Sequence, residues 1–410
     1  MPTQTATQTQ YAYKVRDRTG KIVTGKVEAE SEAAVSRRLR DMGGVPLEIA
    51  KTNAGLQREI KIGLPARVKL KDLAVFARMF ATMITSGLTL MSSLAILADQ
   101  SENPEMRKTL RLLKQDVEAG ASLSESMAKY PKVFPAIMMN MTKAGETGGF
   151  LDSAMREVAD AFEAEVRLKG KIKAALTYPV VVFILAILMC VAMLIFVVPV
   201  FESMFANLGG ELPLPTQILV WMSESLRTTI PIFIVLLVVA VVLWRKYSHH
   251  RRVRAVMDPL KLKLPVFGIL FKKIALARFA RNFSTLLSSG VPILQCLDTV
   301  AETTGSVVIS RALADVSESV RQGESLSGPL AQHDVFPPMV VKMMAVGEDT
   351  GALAPMLSKI AEFYDQEVEA ATEALTALIE PLMIAFLGAI VGSMIVALYL
   401  PIFKVFDLIQ

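Results

Sequence analysis

Histidine and cysteine are scarce in this chain, whose 410 residues include three histidines and two cysteines. His249 and His250 lie in a basic run and His333 stands alone, so neither a metal triad nor a Ser-His-Asp triad can be built. Cys190 lies in an apolar run and Cys296 in a helical pattern, and neither suggests a disulfide framework or a metal cluster. We therefore expect no metal, no cofactor and no catalytic residue.

Two further signatures are absent, a phosphate-binding loop and a secretion signal. The Gly-Lys pairs at 20–21, 25–26 and 170–171 lack both the preceding glycine spacing and the Ser or Thr of such a loop. The opening MPTQTATQTQ has no basic region and no apolar region, so we expect no signal peptide and a cytosolic N-terminus. The chain is predicted not to be an enzyme, and any energy from ATP would come from a partner.

Charged residues are somewhat fewer than in an average soluble protein, whereas apolar residues are plentiful. Charged residues make up 20% of the chain and hydrophobic residues 52%, and the mean hydropathy is +0.44. Such a chain is too apolar for an ordinary soluble protein, yet it carries appreciable charge. The net charge of +5 could indicate nucleic acid, but the basic residues flank apolar runs. We expect a protein partly in the membrane and partly in water, with no nucleic-acid partner.

One long stretch of the sequence occurs twice. FARMFATMITSGLTLMSSLAIL at 76–97 returns as FARNFSTLLSSGVPILQCLDTV at 279–300. The correspondence continues for about 130 residues, which means that one structural unit is used twice. Each copy ends in a long apolar run. Further matches are Phe134-Pro135 with Phe336-Pro337 and AGETGGFL, 144–151, with VGEDTGAL, 346–353.

The predicted fold is a mainly α membrane protein with two duplicated cytosolic antiparallel helical bundles, three transmembrane helices and a small α+β N-terminal domain. Its expected parts are a disordered tail at 1–10, the α+β domain at 11–52, a linker at 53–69, bundle 1 at 70–173, transmembrane helix 1 at 174–201, an external loop at 202–226, transmembrane helix 2 at 227–244, a basic juxtamembrane linker at 245–272, bundle 2 at 273–379, transmembrane helix 3 at 380–403 and an external C-terminal tail at 404–410.

Basic residues set the expected orientation of these spans. Lysines and arginines cluster just before the first span and just after the second, whereas 201–226 contains none. Because Lys and Arg resist translocation, the N-terminus and both bundles should lie inside and the C-terminus outside. The second span has no counterpart in the repeat, and it lets both copies enter the membrane in the same direction.

Two glycine-rich corners form the first candidate site. GETGG at 145–149 and GEDTG at 347–351 resemble phosphate cradles, but a duplicated bundle also needs duplicated corners between helices. We expect a left-handed glycine and a cap on the amides of the following helix, from Glu146, Thr147, Asp349 or Thr350. A corner can also be a docking point. The residues so predicted are Gly145, Glu146, Gly149, Gly347, Glu348 and Gly351.

Two other sets are candidates for helix packing. Lys171 and Glu373 occupy equivalent positions with opposite charges, so the acidic end of one copy either is solvated or pairs with the basic end of the other, within or between subunits. Gly388 and Gly392 have GxxxG spacing, which lets a helix of the same chain or of a second copy approach closely. No span contains an ionisable residue, which argues against an ion or proton pathway.

With these motifs the sequence resembles the inner-membrane platform family shared by type IV pilus (PilC-like) and type II secretion (GspF-like) machines. The resemblance rests on YAYKVRDRTGKIVTGKVEA at 11–29, FARMFATMITSGLTL at 76–90, LKLPVFGILFKKIALARFARNFSTLLSSGVPIL at 262–294 and the two corners. It implies a non-catalytic, homo-oligomeric scaffold in the inner membrane. Its implied partners are a hexameric cytosolic ATPase, pilin or pseudopilin subunits, other inner-membrane assembly proteins and lipid.

Two other classes remain as alternatives. A small-solute transporter with parallel repeats also favours duplication, but three spans, uncharged midplanes and mostly cytosolic mass argue against it. A signalling or anchoring receptor would need more than an outer loop of about 26 residues. The sequence leaves open whether the machine is a pilus, a competence filament or a secretion pseudopilus.

Overall fold

The computed structural model divides into two units, residues 1–66 and 67–410. The residues that it describes are 9–16, 22–29, 31–41, 45–51, 67–208, 213–247, 251–265 and 267–408.

The first unit is a small sheet with one helix. Strands β1 (Thr9–Arg16), β2 (Ile22–Ala29) and β3 (Val45–Lys51) form an antiparallel sheet in the order β2-β1-β3, and helix α1 (Glu32–Asp41) precedes β3. Tyr11 and Val15 point to the same side of β1 because side chains alternate along a strand. They pack against Val35 and Leu39 of α1, and all four side chains are buried.

The first copy of the repeat is a set of six helices. They are α2 (Leu70–Thr85), α3 (Leu90–Gln100), α4 (Pro104–Glu118), α5 (Leu123–Ala128), α6 (Ala136–Gly148) and α7 (Leu151–Ala192). Asn103 begins α4 because its side chain accepts hydrogen bonds from the amides of Glu105 and Met106, and Pro104 needs no amide partner there. Ser122 caps α5 in the same way, through the amide of Glu125.

Helix α7 runs without interruption from bundle 1 into the apolar segment. It continues through a π-helical turn (Met193–Val197) into α8 (Val198–Leu208). Helix α9 (Leu214–Tyr247) follows and bends by 56° between Ile230 and Val235, where Pro231 lacks the amide that a continuous helix needs. Helix α10 (Arg251–Lys263) then leads into the second copy.

The second copy repeats the six helices in the same order. They are α11 (Phe267–Ser288), α12 (Ile293–Thr303), α13 (Val307–Arg321), α14 (Ser327–Leu330), α15 (Pro338–Asp349) and α16 (Leu353–Leu408). The ring pair Phe76–Phe134, with centroids 6.1 Å apart, recurs as Phe279–Phe336 at 5.1 Å. The two bundles share one continuous apolar core, in which α6 and α7 pack against α11 and α12. They therefore form a single body.

Two helical stretches, Leu151–Met204 and Leu353–Leu400, are long and apolar enough to cross a membrane. Among the described residues, a third crossing requires that the bent halves Leu214–Ile230 and Val235–Trp244 together make one span. The mainly helical, duplicated membrane fold is therefore confirmed, and transmembrane helix 2 at 227–244 stays a prediction.

The stretch at 202–226, predicted as a loop, is mostly helical. Its residues belong to α8 and to the first half of α9, where Leu219, Val220 and Leu226 pack on the ends of both long helices. Ser223 Oγ donates to the carbonyl of Leu194 in the π-helical turn, and Thr216 Oγ1 donates to the carbonyl of Ala397. This half of α9 therefore ties α7 to α16.

The stretch at 245–272, predicted as a linker, is also largely helical. Helix α9 continues to Tyr247, α10 occupies 251–263, and α11 starts at Phe267 rather than at 273. Helix α10 is ordered against bundle 2 because the buried carboxylate of Asp258 accepts from the amide of Val307, at 3.4 Å, at the start of α13.

Candidate functional site: the duplicated corners and the bundle interface

Each corner contains a glutamate that accepts two backbone hydrogen bonds. The carboxylate of Glu146 accepts from the amides of Leu123, at 2.6 Å, and Ser124, at 3.0 Å. Glu348 accepts from the amides of Leu326 and Ser327 at 2.6 and 3.1 Å. In both copies these amides lie at the start of a short helix, α5 or α14, where the backbone has no acceptor of its own.

The predicted cap is therefore wrong in its target. Glu146 and Glu348 cap the short helix that precedes them, not the long helix that follows. Side chains on a helix point back towards its N-terminus, which directs a glutamate near the end of α6 or α15 towards the preceding helix. The hydroxyls of Thr147 and Thr350 donate to carbonyls four residues back in their own helices, those of Lys143 and Val346, at 2.8 and 2.7 Å. Asp349 is exposed.

The glycines of the corners have two different roles. Gly149 and Gly351 adopt left-handed backbone angles, with φ of 75° and 69°, so that the chain can turn into α7 and α16. Gly145 and Gly347 are buried where the next helix crosses. A Cβ atom on Gly145 would lie 2.9 Å from the Cα of Leu151, and one on Gly347 would lie 3.1 Å from the Cα of Leu353. These contacts fix the angle between α6 and α7 and the angle between α15 and α16.

The corner of copy 1 borders two shallow cavities. One, of about 510 Å³, follows α5 and α6 between Ser122, Glu125 and Lys143. The other, of about 390 Å³, separates Thr147 from the turn between α11 and α12 at Gly290. Docking of a partner at these corners stays a prediction.

In the structure, Lys171 pairs with a different glutamate from the predicted Glu373. Its Nζ atom lies 2.6 and 2.7 Å from the two carboxylate oxygens of Glu369, one helical turn before Glu373, which is exposed. Lys171 belongs to α7 and Glu369 to α16, so the pair joins the two copies within one chain. Both side chains are more than two-fifths exposed, at 58% and 42%, so solvent weakens the attraction.

Reversing this charge pair should have a small and specific effect. Lys171→Glu places two like charges together and should lower the free energy of unfolding by no more than about 1 kcal/mol, because the pair is exposed. The double variant Lys171→Glu/Glu369→Lys should recover the loss, whereas Lys171→Glu/Glu373→Lys should recover less. Urea-dependent pulse proteolysis of the full chain in nanodiscs measures all three. Equal recovery by both double variants would contradict the assignment.

A more deeply buried pair across the interface was missed at the sequence level. Arg278 Nη2 of α11 lies 2.8 Å from Glu165 Oε1 of α7, with side chains 24% and 15% exposed. Lys169 also lies 2.8 Å from Glu165. Burial raises the pKa of the Glu165 carboxyl, but Arg278 and Lys169 lower it by more, so the net direction is downwards. The pair is therefore charged at neutral pH.

The sequence did contain a signal for this pair. Position 278 in copy 2 corresponds to position 75 in copy 1, where Val75 is about half exposed. The difference between valine in copy 1 and arginine in copy 2 indicates that this position has a polar partner in copy 2 only. Further contacts join the two copies. Asn140 Nδ2 donates to Thr299 Oγ1 at 2.6 Å, and the side chains of Leu168, Leu270 and Val368 are buried together.

Within each bundle, a matching ion pair joins the first helix to the long helix. Arg78 Nε lies 2.8 Å from Glu163 Oε1 in copy 1, and Arg281 contacts Asp365 at the equivalent place in copy 2. The duplicated sequence therefore produces duplicated side-chain geometry, at the core, at the corners and along the long helices.

Comparison with known families fits this duplicated geometry. A family model for the type II secretion system protein F matches residues 76–199 and 279–401, and a model for the N-terminal domain of that protein matches residues 1–50. The first two matches fall on the two copies, each from its first helix into its membrane-crossing segment. The chain belongs to the type II secretion system protein F family.

Relatives of this family member cover nearly its whole length. The type IV pilus assembly protein PilC of Thermus thermophilus is 45% identical over 397 residues, 96% of this chain and 98% of that protein. PilC of Myxococcus xanthus is 41% identical over 402 residues, 98% of this chain and 96% of that protein. The type II secretion system protein F of Vibrio cholerae is 31% identical over 402 residues, 98% of this chain and 99% of that protein. The resemblance to PilC-like and GspF-like proteins is thus confirmed.

In this protein F family member, no neighbouring helix packs closely on the GxxxG pair within the described part of the chain. A Cβ atom on Gly388 or Gly392 would meet no atom within 4 Å among the described residues. A different side of α16, with Met394 and Leu398, packs against Leu194 of the π-helical turn that follows α7. The alternative in which these glycines pack within the chain is therefore not observed, and packing against a second copy stays a prediction.

His333 and Cys296 have different surroundings in this family member. His333 Nε2 lies 3.6 Å from Asp315 Oδ2, a pair at the bundle surface. Burial raises the pKa of the Cys296 thiol to about 12, so this cysteine stays protonated. No set of three His, Cys, Asp or Glu residues is placed to hold a metal within the described ranges, and His249 and His250 lie outside them.

Proposed function

We propose that this chain is a non-catalytic inner-membrane platform of a type IV pilus or type II secretion machine. It would couple a cytosolic assembly ATPase to the insertion or extraction of pilin-like subunits. One observation carries the proposal: both bundles are continuous with helices that are long and apolar enough to cross the membrane. A displacement applied to the bundles is therefore passed to the membrane without an intervening flexible joint.

The connection between the bundles and the membrane is stiff because it consists of two long helices held by ion pairs. Helix α7 has 42 residues and α16 has 56, which at 1.5 Å per residue gives lengths of about 60 and 85 Å. Arg78 with Glu163 and Arg281 with Asp365 hold the long helices to the rest of their bundles. Arg278 with Glu165 holds the two bundles together. The two long helices would therefore move as one body.

The relatives favour a pilus over a secretion pseudopilus. The two PilC relatives described above are 45% and 41% identical to this chain, whereas the secretion protein of Vibrio cholerae is 31% identical. We place the chain in a type IV pilus machine first. Its partners would be the assembly or retraction ATPase, pilin subunits, other inner-membrane assembly proteins and further copies of itself.

The orientation is part of the same proposal. The N-terminus and both bundles would face the cytosol, and residues 202–226 and 404–410 would lie outside, with the second crossing at 227–244. The absence of Lys and Arg from 201–226 supports this arrangement, because basic residues are retained on the cytosolic side.

Recruitment of the ATPase tests the function. The full chain in nanodiscs should bind the purified assembly ATPase of the same organism, and deletion of the gene that encodes this chain should abolish filaments or secretion. Restoring the gene should restore both. If the ATPase failed to bind and filaments persisted without the gene, the platform function would be rejected.

Cysteine labelling tests the orientation separately. Leu214→Cys in α9 and Val346→Cys at the corner of α15 place thiols at two exposed positions in a Cys190→Ala/Cys296→Ala background. In intact cells a membrane-impermeant maleimide should label the cysteine at position 214. It should label the cysteine at position 346 only after lysis. Labelling of position 346 in intact cells would reverse the proposed topology.

A further inference from the structure

The turn between α10 and α11 exposes a cluster of large apolar side chains. Within residues 260–271, here called the elbow, Leu260 is 58% exposed, Leu264 46%, Phe267 41% and Ile269 62%. Water-soluble surfaces rarely collect so many apolar side chains in so short a stretch, and such a patch marks an interaction site. The elbow lies outside the stretches predicted to cross the membrane, so the hydropathy of a span does not explain it.

The elbow is held rigidly with this apolar side outwards. A Cβ atom on Gly268 would lie 2.2 Å from the carbonyl oxygen of Leu262, so only glycine allows α10 and α11 to approach so closely. The amide of Gly268 donates to the carbonyl of Leu264 at 2.8 Å. Asp258, buried, ties α10 to the start of α13 and forms an ion pair with Lys261 at 3.3 Å. These contacts fix the backbone that carries the exposed side chains.

Packing places the elbow at the level where the chain enters the membrane. Leu270, at its end, is buried against Leu168 of α7 and against Val368 and Leu375 of α16. The uncharged runs of α7 and α16 begin after Lys173 and Glu380. At 1.5 Å per residue, Leu168 and Leu375 lie only about 8 Å along their helices from these starts. That distance is comparable to the thickness of one headgroup layer, about 5–8 Å.

The sequence around the elbow is mostly basic, although Lys273 pairs with Glu367 of α16 at 2.6 Å. Residues 245–273 contain nine lysines and arginines and one carboxylate, that of Asp258. Helix α10 starts four residues after Tyr247, the last residue of α9, and four residues span at most about 14 Å. The start of α10 therefore lies close to the end of α9. Segments that combine lysines with exposed leucine and phenylalanine bind the surface of anionic bilayers.

We propose that the elbow is an interfacial anchor that binds the anionic lipid surface of the membrane. Leu260, Leu264, Phe267 and Ile269 would enter the boundary between headgroups and acyl chains. Lys263, together with the part-exposed Lys261 beside Asp258, would face lipid phosphates. Bundle 2 would thereby be seated on the bilayer at a third place besides α7 and α16. The inference goes beyond the proposed platform function, and it depends on α7 and α16 crossing the membrane but on no protein partner.

Fluorescence quenching by lipid tests the anchor in the full chain. In a Trp221→Phe/Trp244→Phe background, Phe267→Trp reports on the elbow and Ile269→Trp provides a second probe. Val346→Trp, at a position 52% exposed on the corner of α15, is the matched control far from the elbow in sequence. Each variant is placed in nanodiscs with brominated acyl chains, with or without phosphatidylglycerol, after circular dichroism has verified its fold.

The expected result is quenching of about twofold or more at positions 267 and 269 in anionic nanodiscs and none at 346. Quenching should weaken in nanodiscs of phosphatidylcholine alone and in a Lys261→Gln/Lys263→Gln variant. If the elbow probes behaved like the control, the exposed patch would belong to a protein partner and the anchor would be rejected. Equal quenching in both lipids would overturn the role of anionic headgroups. Neither result depends on binding of an ATPase.

Discussion

Replacing Arg278 with methionine should lower the free energy of unfolding of the packed bundles by about 3 kcal/mol. The arginine lies 2.8 Å from Glu165, and the two side chains are only 24% and 15% exposed. Methionine fills much of the space but leaves the carboxylate desolvated with Lys169 as its remaining partner. The value is at the low end for a broken buried pair because some water still reaches both groups. Urea-dependent pulse proteolysis of the full chain in nanodiscs measures it.

The double variant Glu165→Gln/Arg278→Met separates the charge effect from lost packing. With both charges removed, the loss should shrink to about 1 kcal/mol, because the desolvated carboxylate is gone. Arg321→Met is a control at an arginine about half exposed, which pairs with Asp298 at 3.2 Å, and should change stability by no more than about 0.5 kcal/mol. Equal losses in the single and double variants would show that Arg278 acts through packing alone.

The pH dependence of this pair has a definite sign. Burial raises the pKa of Glu165 and its cationic neighbours lower it by more, so the folded pKa lies below the ordinary value of 4.5. The stabilisation is therefore present above pH 4.5 and is lost as the pH falls through the folded value. Arg278→Met removes the first of these cations. The variant should lose less stability on acidification than the wild-type chain does.

The duplicated fold could be predicted because its signal is repeated at every level of the chain. Phe76 and Phe279 begin matching stretches, and both occupy the core beside a second matched ring, Phe134 or Phe336. The glycines of the corners could be located for the same reason. A left-handed turn in each copy requires a glycine at the same offset, as at Gly149 and Gly351.

The exact partners of the contacts between the copies could not be predicted, because they depend on how two packed helices are rotated and shifted. Lys171 pairs with Glu369 and not with Glu373, and the two glutamates are one turn apart. One turn is about 5.4 Å along a helix, which no pattern within a single helix can resolve. For the same reason, the sequence pattern did not predict the pairing of Arg278 with Glu165.

Helix ends near the membrane were harder to predict than the spans themselves. The absence of basic residues from 201–226 indicated an external loop, but Leu219, Val220 and Leu226 of this stretch pack on the long helices. Proline and glycine signals predict breaks in a local sequence. Such local signals do not predict that an apolar face of a helix packs against residues that are distant in the sequence.

Replacing Gly145 with valine should destabilise the chain by about 3 kcal/mol, the upper end for overpacking a buried site. A Cβ atom there would lie 2.9 Å from both the Cα of Leu151 and the Cβ of Ala154. The Cα of Leu151 belongs to the backbone, and the methyl group of Ala154 has no other rotamer, so neither atom can move aside by itself. The start of α7 must therefore move away from α6, and the angle that directs α7 towards the membrane must change with it.

The second copy supplies a matched comparison for this prediction. A Cβ atom on Gly347 would lie 3.1 Å from the Cα of Leu353 and 3.1 Å from the Cγ of Met356, a flexible side chain that can move aside. Gly347→Val should therefore cost less than Gly145→Val, at about 1–2 kcal/mol. Gly170→Val, on an exposed side of α7 with no atom within 4 Å, should be near neutral. Pulse proteolysis in nanodiscs ranks the three variants. Equal losses at positions 145 and 170 would mean that the close approach of α7 does not require a glycine.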